Sequence, residues 1–178
     1  MMQLVKSLLY MTVILIFFYL LYCIQHASSQ ESATEQLNKR LPNFQLPDLW
    51  QPDLSLTQND LNDKISLLVI WASWCGACKY EHDFLMELSQ TRIIPIYSII
   101  YNDNRRDAQA WLNGAGNPFI KTGIDYDGAM GRLLQVRGTP TLFLIDKGII
   151  RYEFLGALTQ DSWEKSFLPL IRQYNQRQ

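Results

Sequence analysis

Cys75 and Cys78, separated by Gly76-Ala77, are the residues of this chain whose type and spacing offer chemistry most directly. A cysteine pair at this separation can cycle between dithiol and disulfide, with the thiolate as the nucleophile. Location adds to spacing. The nearly all-apolar run Ile65 to Trp71 predicts a strand buried on both faces. The segment from about Gly76 to Gln90 then changes period, with Glu81, Leu85 and Leu88 recurring at helical spacing. Cys75 therefore falls just before a helix, where unpaired N–H groups and the positive end of the dipole favour a thiolate. Cys78, nearly a turn later, is close enough to attack a mixed disulfide on Cys75.

Other uses of the pair fit less well. A structural zinc site takes four ligands, and beyond Cys75 and Cys78 the chain offers His82, with His26 far off in a polar segment. Covalent haem attachment needs His directly after the second cysteine, and Lys79 stands there. A purely structural disulfide between residues so close would close too small a loop to stabilise much. The third cysteine, Cys23, sits in an apolar stretch after the bulky Tyr22, where a lipid-attachment motif has a small residue; it reads as apolar filler. Three cysteines do not make a disulfide framework. No metal site and no nucleotide- or flavin-binding motif is read, so no cofactor is expected.

The 178 residues, 48% hydrophobic and 19% charged, suffice for one domain with a sizeable core. A net charge of −1 gives no field that favours nucleic acid, and no nucleic-acid partner is expected. Arg105 and Arg106, between Asp103 and Asp107, read as a solvated helix start. From Leu8 to Ile24 no charge, Gly or Pro interrupts the chain. As a helix this run spans roughly 25 Å, the low end for crossing a bilayer. Tyr10, Tyr19 and Tyr22 lie near its ends, Lys6 precedes it, and Glu31 and Glu35 follow, which orients the rest of the chain outward. A cleaved signal peptide is the alternative, with Ala27-Ser28-Ser29 as small residues at a cleavage spacing. Its apolar region is ordinarily shorter, and the length here favours an uncleaved anchor. The expected organisation is an anchor over residues 1–24, a polar tether over 25–40 and one domain over 41–178.

Within that domain a loop rich in Pro, Asp and Asn (Leu41 to Asp63) precedes the first strand. Further strands are predicted over Ile93 to Tyr101, near Ile120 to Asp125, and over Thr141 to Ile145. Asp146-Lys147-Gly148 turns the last of these into Ile149 to Phe154, where apolar and charged residues alternate. Helices are predicted over Arg105 to Leu112, near Gly128 to Leu134, and after an N-cap at Thr159 or Asp161, with Trp163, Phe167, Ile171 and Tyr174 buried. Alternating strands and helices followed by a hairpin and a closing helix imply an α/β domain: a mixed central sheet with helices on both faces.

The stretch Val69-Ile-Trp-Ala-Ser-Trp-Cys-Gly-Ala-Cys-Lys79, with Gly138-Thr139-Pro140-Thr141-Leu142-Phe143-Leu144-Ile145-Asp146 far downstream, resembles the thioredoxin superfamily. It is closer still to the membrane-anchored branch of DsbE type, the thiol:disulfide interchange proteins of cytochrome c maturation. Leu41-Pro42-Asn43-Phe44, Glu81-His82, Tyr101-Asn102-Asp103, Trp111-Leu112 and Gly116-Asn117-Pro118 add to the likeness, which runs from about Leu41 to Tyr174.

The resemblance implies a thioredoxin fold with an extra strand–helix insertion between the second β run and Gly138. It makes Cys75 the attacking and Cys78 the resolving cysteine. It matches Pro140 to a cis-proline against the dithiol, leaving the backbone at Thr139 free to pair with a client strand, although cis X–Pro bonds are a minority. Glu81 matches the acid that follows the dithiol; as a helical carboxylate alone it would face solvent. Trp74 is either an apolar landing surface or packing, Trp71 is core, and His82 an ordinary helix residue. Two positions depart from the pattern. Thr141 stands where the branch commonly carries Glu after the proline, and Val69 where thioredoxins bury an Asp.

The function implied is a periplasm-facing oxidoreductase in the inner membrane that reduces the Cys-x-x-Cys-His segment of apocytochrome c. Its electrons would come from a membrane electron-donor thiol protein, beside the cytochrome c maturation machinery. The alternatives are a general periplasmic reductase or oxidase with other disulfide-bearing clients, and a non-catalytic client-binding module, against which the intact dithiol argues.

Overall fold

The computed structural model describes residues 6, 10–22 and 37–176, and the chain divides into two units, Met1–Leu37 and Asn38–Gln178. In the first, residues 10–22 are helical, with exposed side chains. Among the described residues no helix is long and apolar enough to cross a membrane. The ends of the Leu8–Ile24 stretch, Cys23 and the polar segment with His26 lie outside the described residues.

The second unit begins three residues before Leu41. Asn38 N–H donates to the Ile150 carbonyl at 2.7 Å, and Ile150 N–H to that of Lys39 at 2.9 Å, so these residues lie along the sheet rather than in a tether. The loop expected from Leu41 to Asp63 is partly ordered into a hairpin, β1 (Gln45–Pro47) and β2 (Ser55–Thr57), followed by a 3-10 turn, Gln58–Leu61. Strands of three residues are too short to show a period. Their leucines are placed by polar turn chemistry instead: Asp48 Oδ1 accepts the N–H groups of Trp50 and Gln51, and Asp60 that of Thr57. Leu49, Leu56 and Leu61 are thereby buried. Gly123 permits the close approach of this hairpin, since a Cβ there would sit 2.8 Å from Leu46 Cβ.

The main sheet has the order β5-β4-β3-β6-β7, with β3 (Ile65–Trp71) at its centre and buried throughout. β4 (Ile96–Tyr101) and β5 (Lys121–Asp125) run parallel to it; β6 (Thr141–Asp146) and β7 (Ile149–Leu155) close an antiparallel half. The β6–β7 turn has positive φ at both Lys147 (51°) and Gly148 (76°), the geometry whose twist matches a hairpin. Helix α1 (Gly76–Thr91) follows β3, α2 (Arg105–Ala115) follows β4, and α3 (Ala129–Leu133) follows β5. Two successive crossovers of the same hand and direction put α1 and α2 over one face, where their leucines join Val69, Trp71, Leu142 and Leu144. The return from β5 to β6 carries α3 to the other face, with Leu68, Ile70 and Phe143.

The closing helix starts where expected. Thr159 caps it, its side chain accepting from Ser162 N–H, and α4 (Gln160–Ser162) passes into a π-helical turn over Trp163–Phe167 and then α5 (Leu168–Asn175). Pro169 has no N–H to give and interrupts the α ladder; Leu168 N–H reaches back to the Trp163 carbonyl. The rings of Trp163 and Phe167 stack at 5.7 Å and seal the core.

Candidate active site

Register gathers the site at one end of the sheet. Trp71 pairs with Ile100, Tyr101 with Asp125, and Ile70 with Thr141, so the loops after β3, β4 and β5 and the segment before β6 all emerge together. Carboxyl ends of parallel strands are where α/β sheets present their sites. The loop after β3 carries Cys75, the N-cap of α1. Its sulfur accepts the N–H of Cys78 at 3.1 Å and is bonded to the Cys78 sulfur in a disulfide. The position that favours a thiolate in the reduced state is thus occupied by Cys75, as the spacing predicts. Both cysteines are nearly buried.

Thr139–Pro140 is a cis peptide bond. Pro140 is buried and its carbonyl accepts the N–H of Gly156 at 2.9 Å, while Thr139 remains partly exposed. Thr141 Oγ1 donates to the Gly138 carbonyl at 2.7 Å, so the hydroxyl standing in place of an acid closes the loop instead. Trp74, beside Cys75, is 59% exposed, and its Nε1–H donates to the Asn102 carbonyl at 3.2 Å. It is therefore an oriented surface ring and no part of the core.

Glu81 is not a solvent-facing helical carboxylate. It is 1% exposed, on the buried side of α1 shared by Cys78 and Leu85. Oε2 accepts the N–H of Leu158 at 2.8 Å, whereas Oε1 is buried without a hydrogen-bond partner. Loss of hydration pushes its pKa up to about 8, against the lowering effect of the Leu158 bond. The position where thioredoxins bury an Asp is Val69, fully buried in β3; here the dithiol helix itself supplies a buried acid, Glu81.

Two other expectations are corrected. His82 is buried: its ring meets Trp111 edge-on at 4.4 Å, and Nε2 lies 3.2 Å from the Ala115 carbonyl. Arg105 does not stand free at a helix start, because its guanidinium donates to the carbonyls of Asp48, at 2.7 Å, and of Leu49. Arg106 is solvated as expected. Trp71 is core, stacked on Phe119 at 5.8 Å.

Sequence reasoning missed Asp103. Its Oδ2 accepts the N–H of Ser73 at 2.7 Å, two residues before Cys75. An acid two residues past the end of a parallel strand was the available signal.

Comparison with known proteins agrees with this geometry. Residues 36–167 match the Redoxin family. Thiol:disulfide interchange protein DsbE of Yersinia pestis is 40% identical over 140 residues, covering 78% of this chain and 74% of the relative. DsbE of Pseudomonas aeruginosa is 38% identical over 138 residues, covering 77% and 76%. Among solved structures, a Chlorobium tepidum protein assigned as a thiol:disulfide interchange protein DsbE superposes with a TM-score of 0.65. It is 25% identical, over 76% of this chain and 97% of that one. With a thioredoxin-like fold and a paired Cys75–Cys78 at a helix N-terminus, this chain belongs to the Redoxin family as a DsbE-type thiol:disulfide interchange protein.

Proposed function

We propose that this protein is an extracytoplasmic reductant, tethered to the inner membrane with its domain in the periplasm, that opens the disulfide of the haem-binding segment of apocytochrome c. The observation that carries the reading is the disulfide-paired Cys75–Cys78 at the start of α1, with the proton-holding Glu81 one turn on. The sequence resemblance to the cytochrome c maturation branch supports the client. Support for the tether comes from the uninterrupted apolar stretch Leu8–Ile24 and its flanking charges.

In the reaction, Cys75 thiolate attacks one sulfur of the client disulfide, forming a mixed disulfide and releasing the other client sulfur as a thiolate, which takes a proton from water. The Cys78 thiol gives its proton to Glu81 in the ionised form, a minority at neutral pH for a carboxyl with its pKa near 8, and attacks Cys75. The second client sulfur leaves and is protonated, so two electrons have passed to the client and Cys75–Cys78 is oxidised. Glu81 then holds its proton in the oxidised protein, as a carboxyl with its pKa near 8 does at neutral pH. Recharging runs in reverse. A thiolate of a membrane donor attacks Cys75, Cys78 departs, and Glu81 returns the proton to it. Trp74 and the backbone at Thr139 would hold the client chain across the mixed disulfide.

The test is a trap. In cells, Cys78→Ser should accumulate mixed disulfides with apocytochromes c through Cys75, Cys75→Ser should form none, and deletion of the protein should abolish haem-stained c-type cytochromes. Trapped clients without haem-binding segments, together with normal cytochromes after deletion, would leave the interchange chemistry and replace the client. That is the general periplasmic reductase, for which Thr141 in place of the branch's acid is the favouring observation.

A further inference from the structure

Helix α2 belongs to the insertion, and it is bonded to the dithiol segment at both of its ends. At its start, Asp103 Oδ2 accepts Ser73 N–H at 2.7 Å while Oδ1 accepts the N–H of Asn104, the cap of α2, also at 2.7 Å. The neighbouring Asn102 takes a left-handed φ of 50°, its own N–H held by the Asp125 carbonyl of β5 at 2.9 Å, and its carbonyl receives the Trp74 indole N–H. At the far end of α2 the Ala115 carbonyl meets His82 Nε2, and between the two ends Trp111 contacts both His82 and Trp71, the latter at 4.9 Å. Ser73 and Trp74 lead directly into Cys75, and His82 follows Cys78 by about one turn. The insertion thus grips the redox helix just before its first sulfur and just after its second.

We propose that Asp103 is a positioning residue for Cys75: by holding the Ser73 N–H it fixes the peptide leading into α1 and keeps the Cys75 sulfur against the helix N-terminus. The proposal rests on Cys75 as the nucleophile. Two effects of opposite sign act through the same carboxylate. Placement of the sulfur at the helix terminus lowers the thiol pKa, whereas the negative charge of Asp103 raises it. Substitution separates them. Asp103→Asn removes the charge and keeps an oxygen for Ser73; Asp103→Ala removes both.

The test is the pH dependence of iodoacetamide alkylation in the reduced full-length protein, with the modified cysteine located by peptide mass spectrometry. Asp103→Ala should move the Cys75 midpoint upward and slow its reaction at neutral pH; one pKa unit corresponds to about a tenfold loss of thiolate. Asp103→Asn should stay at or below the wild-type midpoint. Equal downward shifts in both variants would show that only charge matters and would overturn the proposal, as would no shift in either. If Asp103→Ala does not fold, Asp103→Glu decides. It keeps the negative charge but moves the acceptor away from Ser73 N–H by one methylene, so an upward shift supports the proposal and an unmoved midpoint overturns it. Modification of Cys78 before Cys75 in the wild type would sink the nucleophile assignment itself, whatever Asp103 does.

Discussion

Two carboxylates of this domain are buried to the same degree, and they are treated differently. Asp125, at the end of β5, is 1% exposed, and each of its oxygens accepts a backbone N–H: Met130 at 3.1 Å and Gly131 at 2.8 Å. It caps α3, a helix too short to hold its own first turn. Glu81 is 1% exposed as well, but it has one donor, and its second oxygen has none. Desolvated, and with only one of its two oxygens engaged, this carboxylate is better off protonated, and its pKa rises to about 8. Burial alone therefore does not mark a proton carrier; incomplete satisfaction does. The incompletely satisfied acid is the one on the buried face of the helix shared by Cys78.

The largest effect should come from breaking the satisfied member. Asp125→Ala strands two buried N–H groups that now donate to a charged acceptor, each such bond worth about 1.5–3 kcal/mol. Urea unfolding should show a loss of about 3–6 kcal/mol on that count. The pH dependence of interchange should keep its shape in the folded fraction.

Glu81→Gln should do the opposite, altering chemistry more than stability. Loss of a proton carrier costs about 10²-fold in turnover at the low end of general acid–base effects, and the limb of the pH–rate profile near 8 should disappear. The stability consequence has a definite sign. The folded wild type keeps the proton up to about pH 8, and the unfolded chain releases it near 4.5. Between these values the folded state binds the extra proton, so stability falls as pH rises, on the order of 1.4 kcal/mol per unit at most. Unfolding curves of Glu81→Gln should be flatter across that window. Parallel curves for both proteins would place Glu81 among ordinary exposed acids.

The smallest effect sharpens the comparison from outside. Leu158, whose N–H is the one donor to Glu81, directly precedes the Thr159 cap of the closing helix. Thr159→Ala should cost about 1 kcal/mol of stability. By loosening Leu158 it should also move the Glu81 titration further upward, measurable by following the Glu81 side-chain carboxyl by NMR.

Much of this was legible in the residues. The nearly all-apolar β3 and the period change at Gly76 placed the dithiol at a strand–helix junction, and the Thr159 cap placed the closing helix, because each rests on a local signal. What escaped depended on distant partners. Glu81 falls in helical register with Leu85 and Leu88, yet nothing local in the sequence says that Leu158 and Ala115 will meet Glu81 and His82. The β1–β2 hairpin was missed because three-residue strands carry no period, and Arg105 because its carbonyl acceptors lie on the Asp48–Leu49 turn. Asp103 was quoted as part of a likeness, yet its hold on Ser73 arises only when β3 and β4 are aligned in register.

The most direct measurement is the titration of the Glu81 side-chain carboxyl by carbon-detected NMR in the oxidised protein, assigned by comparison with Glu81→Gln. The account predicts a midpoint near pH 8, with the carboxyl protonated at neutrality and ready to meet the departing Cys78 thiolate. A midpoint near 4.5, with the carboxylate already ionised at pH 6, would contradict it.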